Sequence, residues 1–241
     1  MKDRSLSCPS AKNGTGAYCL CHLFLHHPMK LFLDTANVAQ VAEVAAWGVL
    51  DGVTTNPTLV AKEGKDFKET VMQMCALVPC VSAQVTATDA EGMKKQAVEM
   101  SKWHKHVVVK VPMTTEGLKV LRFCKEKGIK TNTTLVFSLP QAILAAKAGA
   151  SIISPFVGRI DDAGGNGMAL IAEIMEAWKH YRFDTEVLVA STRHPGHIAE
   201  AARLGAHICT VPYAVFLELP KHELTDVGLE RFLNDWKKVQ K

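Results

Sequence analysis

The sequence predicts an α/β fold: a single (β/α)8 TIM barrel followed by an extra C-terminal helix. Three observations predict it. Short β-rich runs alternate with longer amphipathic segments from residue 29 onward. Eight such pairs follow one another, and parallel strands need helical crossovers of this kind. All eight fit into roughly 210 residues, the size of a compact closed barrel. A doubly wound open sheet is the alternative. No G-x-G-x-x-G run opens the first helix, which weakens its dinucleotide-binding version.

Taken in order, Lys30–Asp34 reads as the first strand and Val38–Trp47 as its helix. Gly52–Thr55 is the second strand, with Lys65–Leu77 helical after it. Val81–Val85 is the third, followed by a helix from Asp89 to His104. Thr88-Asp89-Ala90-Glu91 has the capping-box form at that helix start. His106–Val111 is the fourth strand, a valine-rich run that reads as buried on both faces. Its helix, Thr115–Lys127, stops at Gly128, a residue suited to a left-handed helix end. Thr131–Phe137 is the fifth strand, and Ser138-Leu139-Pro140-Gln141 is a second capping box, opening a helix to Ala148. Ser151–Phe156 and Gly167–His180 form the sixth pair, Glu186–Ala190 and Pro195–Leu204 the seventh. Ala206–Val211 is the eighth strand, with a short helix near Tyr213–Leu219. The extra amphipathic helix runs from Thr225 to Val239. No linker divides residues 29–241, which read as one domain.

Residues 1–28 do not share the pattern. They hold Cys19, Cys21, His22, His26 and His27 but no repeat of period 2 or 3.6. Lys2 and Arg4 precede the apolar run Tyr18–Leu25, as in a signal peptide. That run carries two cysteines and a histidine, and no A-x-A cleavage site follows. The Cys/His spacing matches no standard zinc pattern, so no metal is expected. The expectation is a disordered or misassigned leader, with Met29 as the natural start.

The bulk numbers exclude several classes. The chain is 48% hydrophobic and 22% charged, ordinary values for a globular protein. A net charge of +4 without runs of like charge gives no footprint for nucleic acid. No apolar stretch reaches the roughly 18 residues of a membrane span. Seven cysteines, an odd number without repeated spacing, make no disulfide framework. Cys75, Cys80, Cys124 and Cys209 read as reduced core residues, which implies a cytoplasmic protein.

The chemistry gathers at the C-terminal strand ends, the face that carries barrel active sites. Lys110 is central. Among Val107, Val108, Val109 and Val111 it has little access to water, and burial lowers a lysine pKa and frees the amine as a nucleophile. An imine with a ketone then serves as an electron sink for C–C cleavage. Snorkelling to the surface is the competing role. Asp34 is a candidate acid/base, or else a cap for the helix that begins near Asn37. Gln84 and Thr134 are candidates to hold a proton-relaying water, or else form a satisfied polar layer. Asn56 and Asn132 can orient hydroxyls, although Asn56-Pro57 is also a turn former. Ser154 and Phe156 end the sixth strand on one face. Arg159, Arg193 and Ser191 suit a phosphate, which barrels often bind beside strands seven and eight. The alternative is surface ion pairing, such as Arg159 with Asp161 or Asp162.

Five segments carry a resemblance: Leu33-Asp34-Thr35-Ala36-Asn37, Thr54-Thr55-Asn56-Pro57-Thr58, Val109 to Thr114, Thr131 to Phe137, and Ser154 to Arg159. Together they resemble the small bacterial transaldolases, which group with the fructose-6-phosphate aldolases. The likeness covers Met29 to about Lys238. It implies an imine between Lys110 and a dihydroxyacetone unit, held by Asp34 and Asn56. It implies a catalytic water shared by Thr134, hydroxyls bound by Asn132 and Ser154, and a phosphate held by Arg159 and Arg193. No cofactor is implied. It also implies a homo-oligomer, commonly a decameric ring, in which the C-terminal helix around Glu230–Trp236 packs on a neighbouring subunit.

One departure bears on the activity. Transaldolases carry glutamate at the position of Gln84, whereas the aldolases carry glutamine. The aldolases carry tyrosine where Phe156 stands, and tend to have glycine and lysine at the positions of Asn132 and Arg193. The chain therefore mixes signatures, with Phe156, Asn132 and Arg193 on the transaldolase side. An isomerase or a non-catalytic sugar-phosphate-binding barrel are the rival readings, because a fold alone does not give a function. Neither needs an amine buried among valines.

Overall fold

The structure is a computed structural model and describes residues 28–240. The elements in chain order are β1 (Lys30–Asp34), α1 (Val38–Ala45), β2 (Gly52–Thr54), α2 (Pro57–Glu63), α3 (Phe67–Leu77), β3 (Val81–Gln84), α4 (Ala90–Met100), β4 (Val107–Pro112), α5 (Thr115–Glu126) and β5 (Thr131–Val136). They continue with α6 (Leu139–Ala148), β6 (Ile152–Pro155), α7 (Val157–Asp162), α8 (Gly167–His180), β7 (Glu186–Val189), α9 (Pro195–Arg203), β8 (Ile208–Pro212), α10 (Tyr213–Phe216) and α11 (Glu223–Val239). All eight strands are parallel and close in sequence order, with β8 pairing back onto β1 from Lys30↔Ile208 to Asp34↔Pro212. The expected barrel and its extra C-terminal helix are both present. The leader expectation falls on residues outside the described ones, Pro28 excepted.

The two-residue period of a strand sorts the apolar residues into two cores. Phe32, Val108, Ile152, Leu188 and Ile208 form the inner cluster. Their strand neighbours Leu33, Val109, Ile153, Val189 and Cys209 join the larger cluster under the helices. A Cβ on Gly52 would lie 2.6 Å from the Phe32 ring, so that glycine makes room for the ring inside the barrel. The inner cluster is a dry floor. Two residues further along these strands the side chains in the same phase are Asp34, Lys110, Ser154 and Thr210, with Ala190 the apolar exception, and Thr54 joins them from β2, two residues after Gly52. The polar layer therefore sits directly above an apolar one, on the C-terminal side.

The helix starts carry the caps that end-of-helix N–H groups require. Asn37, Asn56, Asp66, Asp89, Thr114, Ser138 and Asn166 each accept a backbone N–H of the helix that follows. Asn37 caps α1, so the competing role of Asp34 as that cap falls and its carboxylate is left for the barrel mouth. One expectation changes. The cap of α4 is Asp89 rather than Thr88, one residue later than the capping-box reading. Two short helices, α2 and α7, were not expected. Helix α2 buries no residue, so it has no apolar stripe to betray it; Asn56 caps it, Pro57 opens it and Gly64 closes it at φ 62°. The fifth strand ends at Val136 rather than Phe137, and Leu135 takes φ 62° where the β5–β6 register shifts.

Candidate active site

A cavity of about 170 Å³ opens at the C-terminal mouth of the barrel. Lys110 lies at its base, 4% exposed. It points inward because Val108, two residues earlier, belongs to the inner cluster. Its Nζ donates to the carbonyl oxygen of Thr55 at 3.1 Å. Burial lowers the amine's pKa; the Asp34 carboxylate opposes this and the Arg159 guanidinium adds to it. The snorkelling alternative is thereby excluded for this side chain. An uncharged amine facing a cavity is a nucleophile for a carbonyl carbon.

Asp34 lines the same cavity from the end of β1. Its Oδ1 accepts the Thr54 hydroxyl at 2.7 Å. Thr54 Oγ1 also lies 2.7 Å from Thr210 Oγ1 on β8. Thr54 has one proton and spends it on Asp34, so Thr210 is the donor in the second bond. This three-residue chain spans β1, β2 and β8. Sequence reasoning missed Thr54 and Thr210. Thr54 stands two residues before the noted strand-end Asn56, and Thr210 two residues after Ile208 on the eighth strand, both in phase with the interior, and that alternation was the available signal.

The anion-binding candidates fall on one side. Phe156, Arg159, Ser191 and Arg193 line the cavity with Ser154 and Asn56. Arg159 stacks over the Phe156 ring, 4.9 Å from its centroid, a cation–π contact. The alternative of surface pairing falls on the other arginine: Arg193 Nη2, not Arg159, bonds Asp162, to Oδ2 at 2.7 Å. Gly158 brings the two loops together. It donates its N–H to the Ser191 carbonyl at 3.1 Å, and a Cβ there would lie 2.2 Å from that oxygen. Ser191 itself sits at φ 63°, the left-handed region that serine seldom adopts. Asn56 uses its Oδ1 to cap α2, so its amide donors are what it can offer to the cavity.

Three of the expected residues do not line the cavity: Gln84, Asn132 and Thr134. Asn132 is fully buried, donating to Ser82 Oγ at 3.1 Å and accepting from Ser154 Oγ at 2.7 Å. It forms a tier with Ser82 and Ser154. Gln84 ends β3 in register with Lys110, and Thr134 on β5 is in register with Pro112. Both share the inward phase of Ser82 and Asn132. A larger cavity of about 400 Å³ opens at the opposite mouth, around Lys30, Cys80 and Glu186. There Lys30 is already paired with Glu186 at 2.7 Å, and burial pushes the Cys80 thiol up to about 12, so neither is an activated nucleophile. Among the described residues no group of three His, Cys, Asp or Glu side chains is arranged to hold a metal ion.

A buried amine, a carboxylate and two guanidinium groups on one small cavity match the chemistry of a carbonyl substrate with a phosphate. The family model described as Transaldolase/Fructose-6-phosphate aldolase matches residues 31–241. The chain belongs to the transaldolase/fructose-6-phosphate aldolase family. Relatives named probable transaldolase agree. That of Caldicellulosiruptor saccharolyticus is 55% identical over 215 residues, which cover 88% of this chain and 99% of the relative. That of Aquifex aeolicus is 56% identical over 212 residues, 88% of this chain and 98% of the relative. That of Methanococcus maripaludis is 56% identical over 209 residues, 86% of this chain and 97% of the relative. The chain is thus an enzyme of the transaldolase family, for which sugar phosphates are fitting substrates. Among the described residues no helix is long and apolar enough to cross a membrane.

Proposed function

We propose that the enzyme is a transaldolase of the pentose phosphate pathway acting through a Schiff base on Lys110. It moves a dihydroxyacetone unit from sedoheptulose 7-phosphate to glyceraldehyde 3-phosphate, yielding erythrose 4-phosphate and fructose 6-phosphate. The observation that carries this reading is the buried amine of Lys110, facing a cavity shared with Asp34, Arg159 and Arg193.

The steps follow from the groups present. The neutral amine adds to the ketose C2 carbonyl, and the carbinolamine loses water to give the imine. Asp34 takes the C4 hydroxyl proton while the C3–C4 bond breaks and its electron pair moves into the imine, leaving an enamine. The aldose phosphate departs. C3 of the enamine then attacks the acceptor aldehyde, and Asp34 returns the proton to the new hydroxyl. Water hydrolyses the imine and frees Lys110. Gln84, next to Lys110 across the sheet, and Thr134 are assigned to the water of the carbinolamine steps. Asn56 and Ser154 face the sugar hydroxyls, while Asn132 holds Ser154. Arg159, Arg193 and Ser191 take the phosphate, with Phe156 under Arg159.

A second reading is cleavage of fructose 6-phosphate to free dihydroxyacetone and glyceraldehyde 3-phosphate. Gln84 favours it. Reduction with borohydride in the presence of fructose 6-phosphate tests both: the mass of the peptide bearing Lys110 should rise by one reduced dihydroxyacetone unit. Absence of the adduct would end both readings. With erythrose 4-phosphate added, transfer should outpace release of free dihydroxyacetone; the reverse order would favour the aldolase.

We also assign the enzyme to the cytoplasm and to a homo-oligomer. The four described cysteines are free, as a reducing compartment keeps them. Helix α11 buries none of its residues in a single copy, although Leu224, Phe232 and Trp236 are on it. Such a helix gains stability by packing on a second chain.

A further inference from the structure

His197 lies in the first turn of α9 and is 6% exposed. It does not line the cavity, yet both ring nitrogens are committed beside it. Nδ1 accepts the backbone N–H of Arg193 at 3.2 Å. Nε2 stands 3.3 Å from Oδ2 of Asp161 on α7. The other oxygen of Asp161 accepts the N–H of Gly167, the first residue of α8, at 2.8 Å. A neutral imidazole carries one N–H. With Nδ1 accepting, that proton sits on Nε2 and faces Asp161. One ring therefore ties the loop that carries Arg193 to the helix that carries Arg159.

We propose that His197 is a positioning residue for the anion clamp: its neutral, Nε2-protonated form holds the Arg193 backbone and the Asp161 end of α7 at the spacing that receives a substrate phosphate. This rests on the reading of Arg159 and Arg193 as phosphate ligands.

The charges around the ring set when this form persists. His194, on the same loop, has its ring centroid 4.0 Å away. Burial lowers the His197 pKa, His194 and Arg193 lower it further, and Asp161 and Glu200 oppose them. The net direction is below the ordinary 6.5, so the ring is neutral at neutral pH. Protonation would set an N–H on Nδ1 against the N–H of Arg193, and that bond would be lost. The clamp should then loosen only in acid.

The test measures reductive trapping on Lys110 with cyanoborohydride, using two probes. Fructose 6-phosphate uses the clamp; dihydroxyacetone forms its imine without a phosphate. His197→Phe keeps a ring and removes the acceptor, whereas His197→Asn places an oxygen near the site of Nδ1. For His197→Phe the half-saturating fructose 6-phosphate concentration should rise about tenfold, the scale of one lost hydrogen bond. That for dihydroxyacetone should not move, and His197→Asn, which returns an acceptor to the Arg193 N–H, should bring the fructose 6-phosphate value back towards the wild type. Equal shifts for the two probes, or none, overturn the proposal. Arg193→Ala separates the premises: if it leaves the fructose 6-phosphate value unchanged, the phosphate reading fails; if it raises it while His197→Phe does not, this inference alone fails. Should His197→Phe not fold, the wild type and His197→Asn are compared across pH. Phosphate ionisation is common to both, and asparagine does not titrate. The wild type should lose its preference for fructose 6-phosphate more steeply below pH 6.5. Parallel profiles would overturn the proposal.

Discussion

The Nζ of Lys110 on β4 donates to the carbonyl oxygen of Thr55, the residue that follows β2, at 3.1 Å. One bond to a neutral carbonyl gives an ammonium little of what water would give it, so the buried site favours the free amine. Reactivity here is linked to a loss of stability. The unfolded lysine binds a proton up to the ordinary 10.5, and the folded one releases it earlier. The folded state is therefore penalised fully below the lowered pKa, and the penalty vanishes above 10.5. Lys110→Met is expected to abolish transfer and to raise the melting temperature, by about 2–4 °C per kcal/mol relieved. The gain should be largest in acid, below the lowered pKa, and shrink steadily as pH rises towards 10.5. Calorimetry across pH checks it; a melting temperature that falls on substitution would mean that the amine is not under this strain.

The chain Thr210–Thr54–Asp34 orients the carboxylate to which the proposed mechanism gives the proton transfers. Thr54→Val removes the direct donor to Asp34 and should lower kcat about tenfold, the scale of a hydrogen bond to a charged group. Thr210→Val removes a donor one step back, and water in the cavity can replace it. Its kcat should fall by less, about threefold. Both variants conserve volume, so KM for the ketose should change little. Steady-state kinetics decide the order. A larger effect from Thr210→Val would place the hydroxyl of Thr210 on the substrate rather than behind Thr54.

Much of this was legible in the chain because strand alternation is a local property. The valine run around Lys110 announces burial on both faces, and the apolar–polar steps Phe32-to-Asp34 and Ile152-to-Ser154 announce a polar layer over a dry floor. What stayed hidden depends on register between strands. Thr54 meets Thr210 because β1 pairs with both β2 and β8, at Asp34↔Thr54 and Asp34↔Pro212. No pattern within one strand states that. The same holds for Asn132, whose partners Ser82 and Ser154 come from strands on either side of β4 and β5. The pairing of Asp162 with Arg193 instead of Arg159 is a matter of loop geometry, fixed by the close approach at Gly158.

With Arg193 as the proposed phosphate ligand, Asp162 and a substrate phosphate would compete for the same guanidinium. The Arg193–Asp162 pair is open to solvent on both sides, with side chains 49% and 61% exposed, so it adds little to stability. Asp162→Ala should leave the melting temperature within about 1–2 °C of the wild type. It should lower KM for fructose 6-phosphate about two- to fivefold, because the arginine no longer has to leave a carboxylate. The advantage should fade as salt rises and screens the competition. Kinetics at low and high ionic strength measure this. A raised KM would mean that Asp162 holds Arg193 in the productive position.

Helix α11 presents Leu224, Val227, Leu229, Phe232, Leu233, Trp236 and Val239, each between 54% and 73% exposed. Leu229, Phe232, Leu233, Trp236 and Val239 recur at spacings of three or four, so they form one stripe along the helix. In a lone chain that stripe meets water. Glu230 and Lys238 lie on the opposite side, and Lys238 bonds Asp235, at the edge of the stripe, at 2.8 Å. The wild type is therefore expected to sediment as an oligomer. Phe232→Glu combined with Trp236→Glu puts two carboxylates in the stripe and should shift it to the monomer. Since α11 adds no residue to the cavity, that monomer should still form the borohydride adduct on Lys110. A wild type that sediments as a monomer at micromolar concentration would rule out the assembly, and a monomeric variant that loses the adduct would mean that the neighbouring copy supports the site.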